Sequence, residues 1–425
     1  MPLHPTNSSN RRQFLTAAAG TLAAGIAATK AADEPQNTAP AATEPPPAAT
    51  LDSPPVLQCP TESTVTVAWA IRGPATGWVE YGPTAQLGAR ADAPRYGLNP
   101  FTDRYLNATI TGLKPGVPVY YRTCIAPIFF HNAYKIERGP TVAGETHRYT
   151  PPNPDSPAAT FALINDTHEN PQTLAALTKL LAQDPADLTI WDGDVFNDIA
   201  TDDQIVEQVL RPAGAAYAAS RPVLFTAGNH DHRGPLARNL RQAFIPWAAE
   251  EPLGRCFAVR HGPLALIGLD TGEDKPDSHP VFAGLANFEK YHEAQRDWLI
   301  AALKRPAIAA ARHLVIICHI PLRGLPRDNG GDTLEGYAAY AKHARDLWHP
   351  VLVSAKAAVV ISGHTHVFRY DAPTEDFPYA QLVGGGPRPQ AATLTRAMAN
   401  AEKLEIVQTK LDGKETGKWT FKPRA

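Results

Sequence analysis

Cysteine is scarce in this chain and never paired in sequence. Cys59, Cys124, Cys256 and Cys318 stand far apart with no CxxC spacing, which argues against a zinc-thiolate site or a redox dithiol. A Cys59–Cys124 disulfide and free buried thiols are both compatible with the spacing. An excess of charge of either sign is also missing. The formal net charge is -2, from 40 basic and 42 acidic residues. That leaves no basic field for nucleic acid and no polybasic patch for anionic lipid. No segment after the N-terminal one approaches the roughly 20 continuous apolar residues of a membrane helix, so no stable span is expected. Internal repeats are absent too, which removes solenoids from consideration. What remains is a globular chain of 425 residues, 44% hydrophobic, long enough for two domains. Its expected partner is a small molecule, and nothing in it fixes an oligomeric state.

The N-terminus reads as an address rather than as fold. Arg11 and Arg12 precede Gln13, Phe14, Leu15 and an Ala-rich run to Ala28, with small residues near Lys30. Paired arginines before a weakly apolar run are the pattern of a twin-arginine signal. Residues 1–32 are therefore read as a signal peptide, and a periplasmic or secreted protein is expected. Seven prolines fall between Asp33 and Pro55. A stretch so rich in Pro and Ala cannot bury enough apolar surface to fold, so residues 33–55 are expected to be a linker.

From residue 56 to 150 the pattern is short and β-like: STVTVAWAI, GWVEYG, LNATITGL and VPVYYRTCIA, separated by turns such as Lys114-Pro115-Gly116. Alternation without helical periodicity predicts a small antiparallel β-sandwich. VEYG followed by LNATITGLKPGVPVYYR resembles the fibronectin-type-III-like domain that precedes the catalytic domain of purple acid phosphatases. Such sandwiches host many roles, and no chemistry concentrates in this one.

A second Pro-rich stretch, 151–157, is expected to be a hinge into a different regime over 158–425. The runs TFALIND, DLTIWDGD, PVLFTAGNHD, HLVIICHIP and AAVVISGHTH alternate with helical patterns: PQTLAALTKLLAQ, DQIVEQVLRPAGAAYAA, NFEKYHEAQRDWLIAALKR and GYAAYAKHARDLWHPVL. This alternation predicts an α/β layered domain. Residues 256–271 read as a hairpin turning at His261-Gly262-Pro263.

Each of the five strand-like runs ends in groups that bind metal: Asp166 and His168, Asp194, Asn229 and His230, His319, then His364 and His366. Carboxylate and amide oxygens mixed with imidazoles suit Fe, Mn or Zn rather than a soft metal. Seven ligands serve two ions only if one carboxylate bridges, and Asp194 is the natural bridge.

In this order DTH, GDVFN, GNHD, a lone His and GHTH resemble the signature of the calcineurin-like metallophosphoesterases, of which purple acid phosphatases are a branch. The resemblance implies a four-layer α/β/β/α domain. It places Asp166, His168, Asp194 and His366 around one ion, and Asp194, Asn229, His319 and His364 around the other. His230 then stands outside both sets as acid or transition-state stabiliser, with Asp231 fixing its tautomer. Two ions about 3.5 to 4 Å apart would activate a bridging hydroxide against a phosphate ester.

The chain departs from the purple enzymes at two places. Their first motif resembles Asp-x-Gly and a tyrosine ligand follows the bridging Asp, whereas the matching positions here are His168 and Asn197. A four-ligand site survives, and the iron-phenolate colour should not. Asn197 and Asp198 either brace the site or cap the next turn.

His232 reads as a surface turn residue. His279, Arg323 and Arg327 lie on loops that could border the pocket. His292, His313, His343 and His349 read as structural or solvated, and Gly384-Gly385-Gly386 as a tight bend. The implied activity is an acid-phosphatase-like hydrolysis of phosphate monoesters. Phosphodiester or nucleotide hydrolysis is the runner-up, and a non-catalytic extracytoplasmic binding protein is the alternative from another class.

Overall fold

The apolar residues of three parallel strands alternate between two cores, and this alternation builds the layers of the larger domain. The computed structural model describes residues 48–247, 250, 252–324 and 337–424. Residues 1–32, most of the expected linker and Arg327 lie outside them. In strand Ala158–Ile164, Phe161 and Leu163 face one core while Ala162 and Ile164 face the other. Strand Leu188–Asp192 does the same with Ile190 and Trp191, and strand Val223–Thr226 with Leu224 and Val223. A strand that buries both faces must lie between layers.

The second sheet runs Phe257–His261, Leu264–Leu269, His313–Cys318, Val359–Ser362, Ala380–Val383, Arg369–Asp371. Its inner residues Leu266, Val315, Ile317 and Ile361 pack on Phe161, Leu163 and Ile190 of the first sheet. Its outer residues Ile267, Ile316 and Val360 pack under Leu299, Trp348 and Leu352. The last three belong to helices Phe288–Leu303 and Tyr337–Ser354. The expected α/β/β/α layering is therefore present.

Helix Pro171–Gln183 covers the outer face of the first sheet with Leu174, Leu177 and Leu181, one stripe of an amphipathic helix. Pro171 opens it and Asn170 caps it by accepting from Thr173 N at 3.0 Å. The next expected helix is shorter than its pattern. It is a single α-turn, Asp202–Ile205, running into a π-helical turn, Val206–Leu210, because Pro212 cannot continue the hydrogen-bond ladder. The sequence reading missed a C-terminal antiparallel meander, Thr393–Asn400, Leu404–Lys410 and Glu415–Phe421, which pairs beside Ala158–Ile164.

The sandwich is present, with Val67, Trp69 and Ile71 packed on Val79, Tyr121 and Ile125. It is not an appended module. Val56–Gln58 pairs antiparallel with Val65–Arg72 and touches the first sheet of the larger domain through a parallel Gln58–Val223 pair, so one ten-stranded sheet runs through both.

Two expectations are corrected here. Residues 48–55 are not free linker: Thr50–Leu51 is a strand on Val65–Arg72, and Ala49 is buried. Asp52 takes ion pairs from Arg72, Arg104 and Arg211 at 3.2, 2.5 and 2.8 Å. Nor is 151–157 an open hinge, because Pro151 and Pro152 are buried and Asn153 N donates to His261 Nδ1 at 2.9 Å. All four cysteines are free thiols, so Cys59 and Cys124 are not bridged. Among the described residues no helix is long and apolar enough to cross a membrane.

Candidate metal centre

Parallel strands deliver their next residues at their C-terminal ends, and five such ends converge here. Asp166 and His168 follow Ala158–Ile164, Asp194 follows Leu188–Asp192, and Asn229 follows Val223–Thr226. His319 follows His313–Cys318, while His364 and His366 follow Val359–Ser362. The chain turns sharply at these ends. Asp166, His168, Asp194, His364 and His366 all take positive φ, between 42° and 68°. For residues with a Cβ that is a costly conformation, held only where the surroundings over-determine it. Glycine makes the turns fit: a Cβ on Gly228 would lie 2.3 Å from Asp194 Oδ1.

The donor atoms form two groups that share one residue. Asp166, His168, Asp194 and His366 make one, Asp194, His319 and His364 the other, and in each group the candidate ligand atoms lie within 4.8 Å of one another. Asp194 Oδ2 is 3.3 Å from His168 Nε2 and 3.2 Å from His319 Nε2, which places this single oxygen between the groups. His168 Nε2 and His366 Nε2 face each other at 3.0 Å. Two nitrogens each about 2.1 Å from one cation at right angles are about 3 Å apart, so the spacing is that of neighbouring ligands. Asn229 turns its Oδ1 to His364 Nδ1 at 2.9 Å, with its amide nitrogen 3.4 Å from Asp274.

His319 tests the fit to a cation most directly. It is fully buried, and its Nδ1 donates to the Asp192 carbonyl at 2.8 Å. That bond leaves Nε2 as the ligand nitrogen; it faces the carboxylates of Asp194 and Asp166 at 3.2 and 3.8 Å, and among the described residues none meets it in hydrogen-bond geometry. An orphaned buried imidazole nitrogen between two carboxylates is what a metal site leaves when only the protein is considered. Burial opposes a charge on His319, but Asp194 and Asp166 override it and raise its pKa well above the usual range. His364 goes the other way, pushed down to about 3 by burial and then by His319, which keeps it a neutral donor. The residues therefore fit a pair of cations.

Asp231 does not do what the sequence reading assigned to it. Fully buried, it accepts from the backbone nitrogens of Asp194, Val195 and Gly228 at 2.9, 3.0 and 2.8 Å. It ties two metal loops together and makes no bond to His230. A carboxylate beside three inward N–H groups satisfies them first, because unpaired buried donors are costly.

His230 is oriented by the Asn197 carbonyl instead, at 2.6 Å from its Nδ1. Its Nε2 meets Arg233 Nη1 at 3.0 Å, and since a guanidinium only donates, Nε2 accepts. Burial lowers the pKa of His230, with Arg233 and His168 adding to the effect. Its ring lies 4.7 Å from that of His168, so it stands beside the cluster.

Asn197 braces the site: besides holding His230, its side chain donates to the His168 carbonyl and to Glu169 at 3.2 and 3.0 Å. His232 is not a surface residue. Its Nδ1 faces Arg255 Nη1 at 3.3 Å, so Nε2 carries the hydrogen toward Asp270 at 3.1 Å. Arg323 spends its guanidinium on the carbonyls of Asp371 and Ala372, and His279 caps a short turn, so neither reaches the cluster. His292, His313 and His349 hold structural bonds to the Thr271 carbonyl, the Asn400 carbonyl and the Tyr379 hydroxyl. Gly386 makes the expected close bend, since a Cβ there would lie 2.5 Å from that of His366.

Two residues escaped the sequence reading. Asn165 donates to Asp166 at 2.7 Å, and Arg233 ends the GNHDHR run. Both sit beside a motif, where their positions were a usable signal.

Two packed sheets thus carry, at their strand ends, an Asp/His cluster that could hold metal. Residues 159–368 match the calcineurin-like phosphoesterase family, and through this domain the chain belongs to that family of phosphoric ester hydrolases. The chain is similar in fold to a purple acid phosphatase, PPD1, from yellow lupin (Lupinus luteus) seeds. That match has 13% identity and a TM-score of 0.63, over 87% of this chain and 74% of that one. It is similar also to the structure of PhoD, again at 13% identity with a TM-score of 0.59, over 88% of this chain and 90% of that one. No curated protein matches it by sequence.

Proposed function

We propose that this chain is an exported phosphatase that hydrolyses phosphate monoesters at a two-ion centre. The observation that carries the reading is the position of Asp194 Oδ2 between two complete donor groups. Asp166, His168, Asp194 and His366 would hold one ion; Asp194, Asn229, His319 and His364 would hold the other. Their oxygen and imidazole donors suit Fe, Mn or Zn. Two such cations supply Lewis acidity toward the phosphoryl oxygens and an activated water at neutral pH.

The protein's own part is positioning and charge. Asn197 fixes His230 with Nε2 toward the neighbouring Arg233. The pair thus presents one imidazole and one permanent cation where an alkoxide would leave. The near-neutral chain carries no basic groove for nucleic acid, which favours a small ester. A sandwich resembling the fibronectin-type-III-like domain of purple acid phosphatases supports the monoester choice, and Arg11-Arg12 supports export.

The experiment is metal analysis together with hydrolysis of matched aryl phosphate mono- and diesters, on a chain beginning at Pro46. Two ion equivalents and monoester turnover are expected. His230→Ala should keep its ions while kcat falls by about 100-fold. Turnover of the diester alone would move the protein to the phosphodiesterases; full kcat in His230→Ala would remove that residue from the mechanism. Export is checked separately by fusing residues 1–32 to a reporter, which should cross the membrane only while Arg11 and Arg12 are intact.

A further inference from the structure

Beside His230 opens a cavity of about 640 Å³ whose lining includes the cationic Arg233, Arg255 and Lys275 and the apolar Val281, Leu285 and Phe288. Arg233 belongs to both places. Its Nη1 meets His230 Nε2 at 3.0 Å, while its other nitrogens are held at 2.9 to 3.1 Å by the buried carboxylates Glu273 and Asp274. Asp274 in turn lies 3.4 Å from the amide nitrogen of Asn229. The cavity is therefore joined to the cluster through Arg233, which touches His230, and Asp274, which touches Asn229.

The lining combines two chemistries. Val281 and Leu285 are 64% and 72% exposed among the described residues. Large aliphatic side chains left open on the wall of a cavity offer contact to an apolar group. The polar part of the lining is organised. Asp270 holds His232, and His232 Nδ1 accepts from Arg255. Three carboxylates, Asp270, Glu273 and Asp274, answer Arg233, Arg255 and Lys275. Arg238, exposed and also lining the cavity, has no ion pair among the described residues. Arg238 is thus the cation of the lining that no described carboxylate answers, in a cavity that also has apolar lining.

We infer that this cavity receives the alcohol portion of the substrate, and that the preferred ester is one whose alcohol is an apolar ring system bearing a further negative charge. The inference rests on the phosphatase reading of the adjoining centre. The ring packs on Val281 and Leu285, and its anionic group pairs with Arg238. Phosphate esters of small polyols use neither part of the lining.

The test compares kcat/KM on glycerol 2-phosphate, naphthyl phosphate and carboxynaphthyl phosphate, alongside fluorescence titration of the protein with naphthoate, which contains no phosphate. The unaltered chain should prefer carboxynaphthyl phosphate over glycerol phosphate by about tenfold or more. Arg238→Ala should lose about tenfold on the carboxylated ester alone, and should weaken naphthoate binding to a similar degree. Val281→Ser with Leu285→Ser should depress both naphthyl esters and leave glycerol phosphate unchanged. Equal losses on all three esters, or naphthoate binding that is absent or indifferent to both variants, would overturn the inference. Variant-sensitive naphthoate binding with no ester hydrolysed would keep the cavity assignment and sink the phosphatase reading instead.

Discussion

At the scale of single residues, chemistry here depends on which neighbour claims each polar atom. Asp231 follows His230 directly, yet its oxygens go to three backbone nitrogens, and His230 is oriented by a carbonyl 33 positions away in sequence. His292 shows the same competition outside the site. It is buried, donates to the Thr271 carbonyl from Nε2, and meets His343 Nδ1 at 3.1 Å; Asp270 and Asp277 are the nearby acids. Burial dominates and pushes its pKa down to about 4, against a partial upward pull from the Thr271 carbonyl. Above about pH 6.5 both folded and unfolded chains carry the neutral ring and the full stability is present. As the pH falls toward 4 only the unfolded chain takes up the proton, so stability is lost. The loss reaches roughly 3 kcal/mol per molecule from this residue. Urea midpoints at pH 7 and pH 4 check it: His292→Gln should lose less stability between those two conditions than the unaltered chain. Equal losses would show that His292 does not set the slope.

At the scale of elements, strand ends and their turns decide whether the donors meet. Five ligand residues sit at positive φ, and glycines allow the loops to approach. Gly193, at φ 72°, lies so close to Gly228 that a Cβ on it would come within 2.4 Å of the Gly228 nitrogen. Adding a methyl at Gly228 pushes directly on the Asp194 carboxylate, the oxygen-bearing group common to both donor sets. Gly228→Ala should keep the far-ultraviolet circular dichroism of the folded chain while binding less than half of the ion. Full ion binding by that variant would mean the loop yields without moving Asp194. The alternation that predicted the strands was legible because period two is local in sequence. The truncation of the helix after Asp202 was not, since a π-turn arises from how Pro212 and the packed loop end the ladder.

At the scale of the molecule, the sandwich and the catalytic layers share a sheet through Val56–Gln58, and Asp52 gathers arginines from both sides of that junction. Removing the chain before Pro54 would delete the Thr50–Leu51 strand and leave Arg104 and Arg211 without their shared carboxylate. Arg104 keeps Asp203 and Arg211 keeps Glu207, so the loss is that of charge-assisted hydrogen bonds and a strand pairing, on the order of 1 to 3 kcal/mol. A chain beginning at Pro54 should therefore melt several degrees below one beginning at Pro46. Equal melting temperatures would show that residues 48–53 are dispensable.

Sequence alone marked the α/β alternation, the β-rich N-terminal part and Asp166, His168, Asp194, Asn229, His319, His364 and His366 as metal-binding types at the ends of strand-like runs. The reason is that apolar alternation and the polar residues at a run's end are properties of adjacent positions. Only the tertiary structure decided that Asp231 braces backbone rather than His230, that the sandwich joins the catalytic sheet, and that a charged and apolar cavity adjoins Arg233. Each of those depends on groups brought together from distant parts of the chain, Gln58 with Val223 or Asp231 with Asp194. When several buried donors compete for one acceptor, the packed geometry chooses the partner, and no spacing along the chain records that choice.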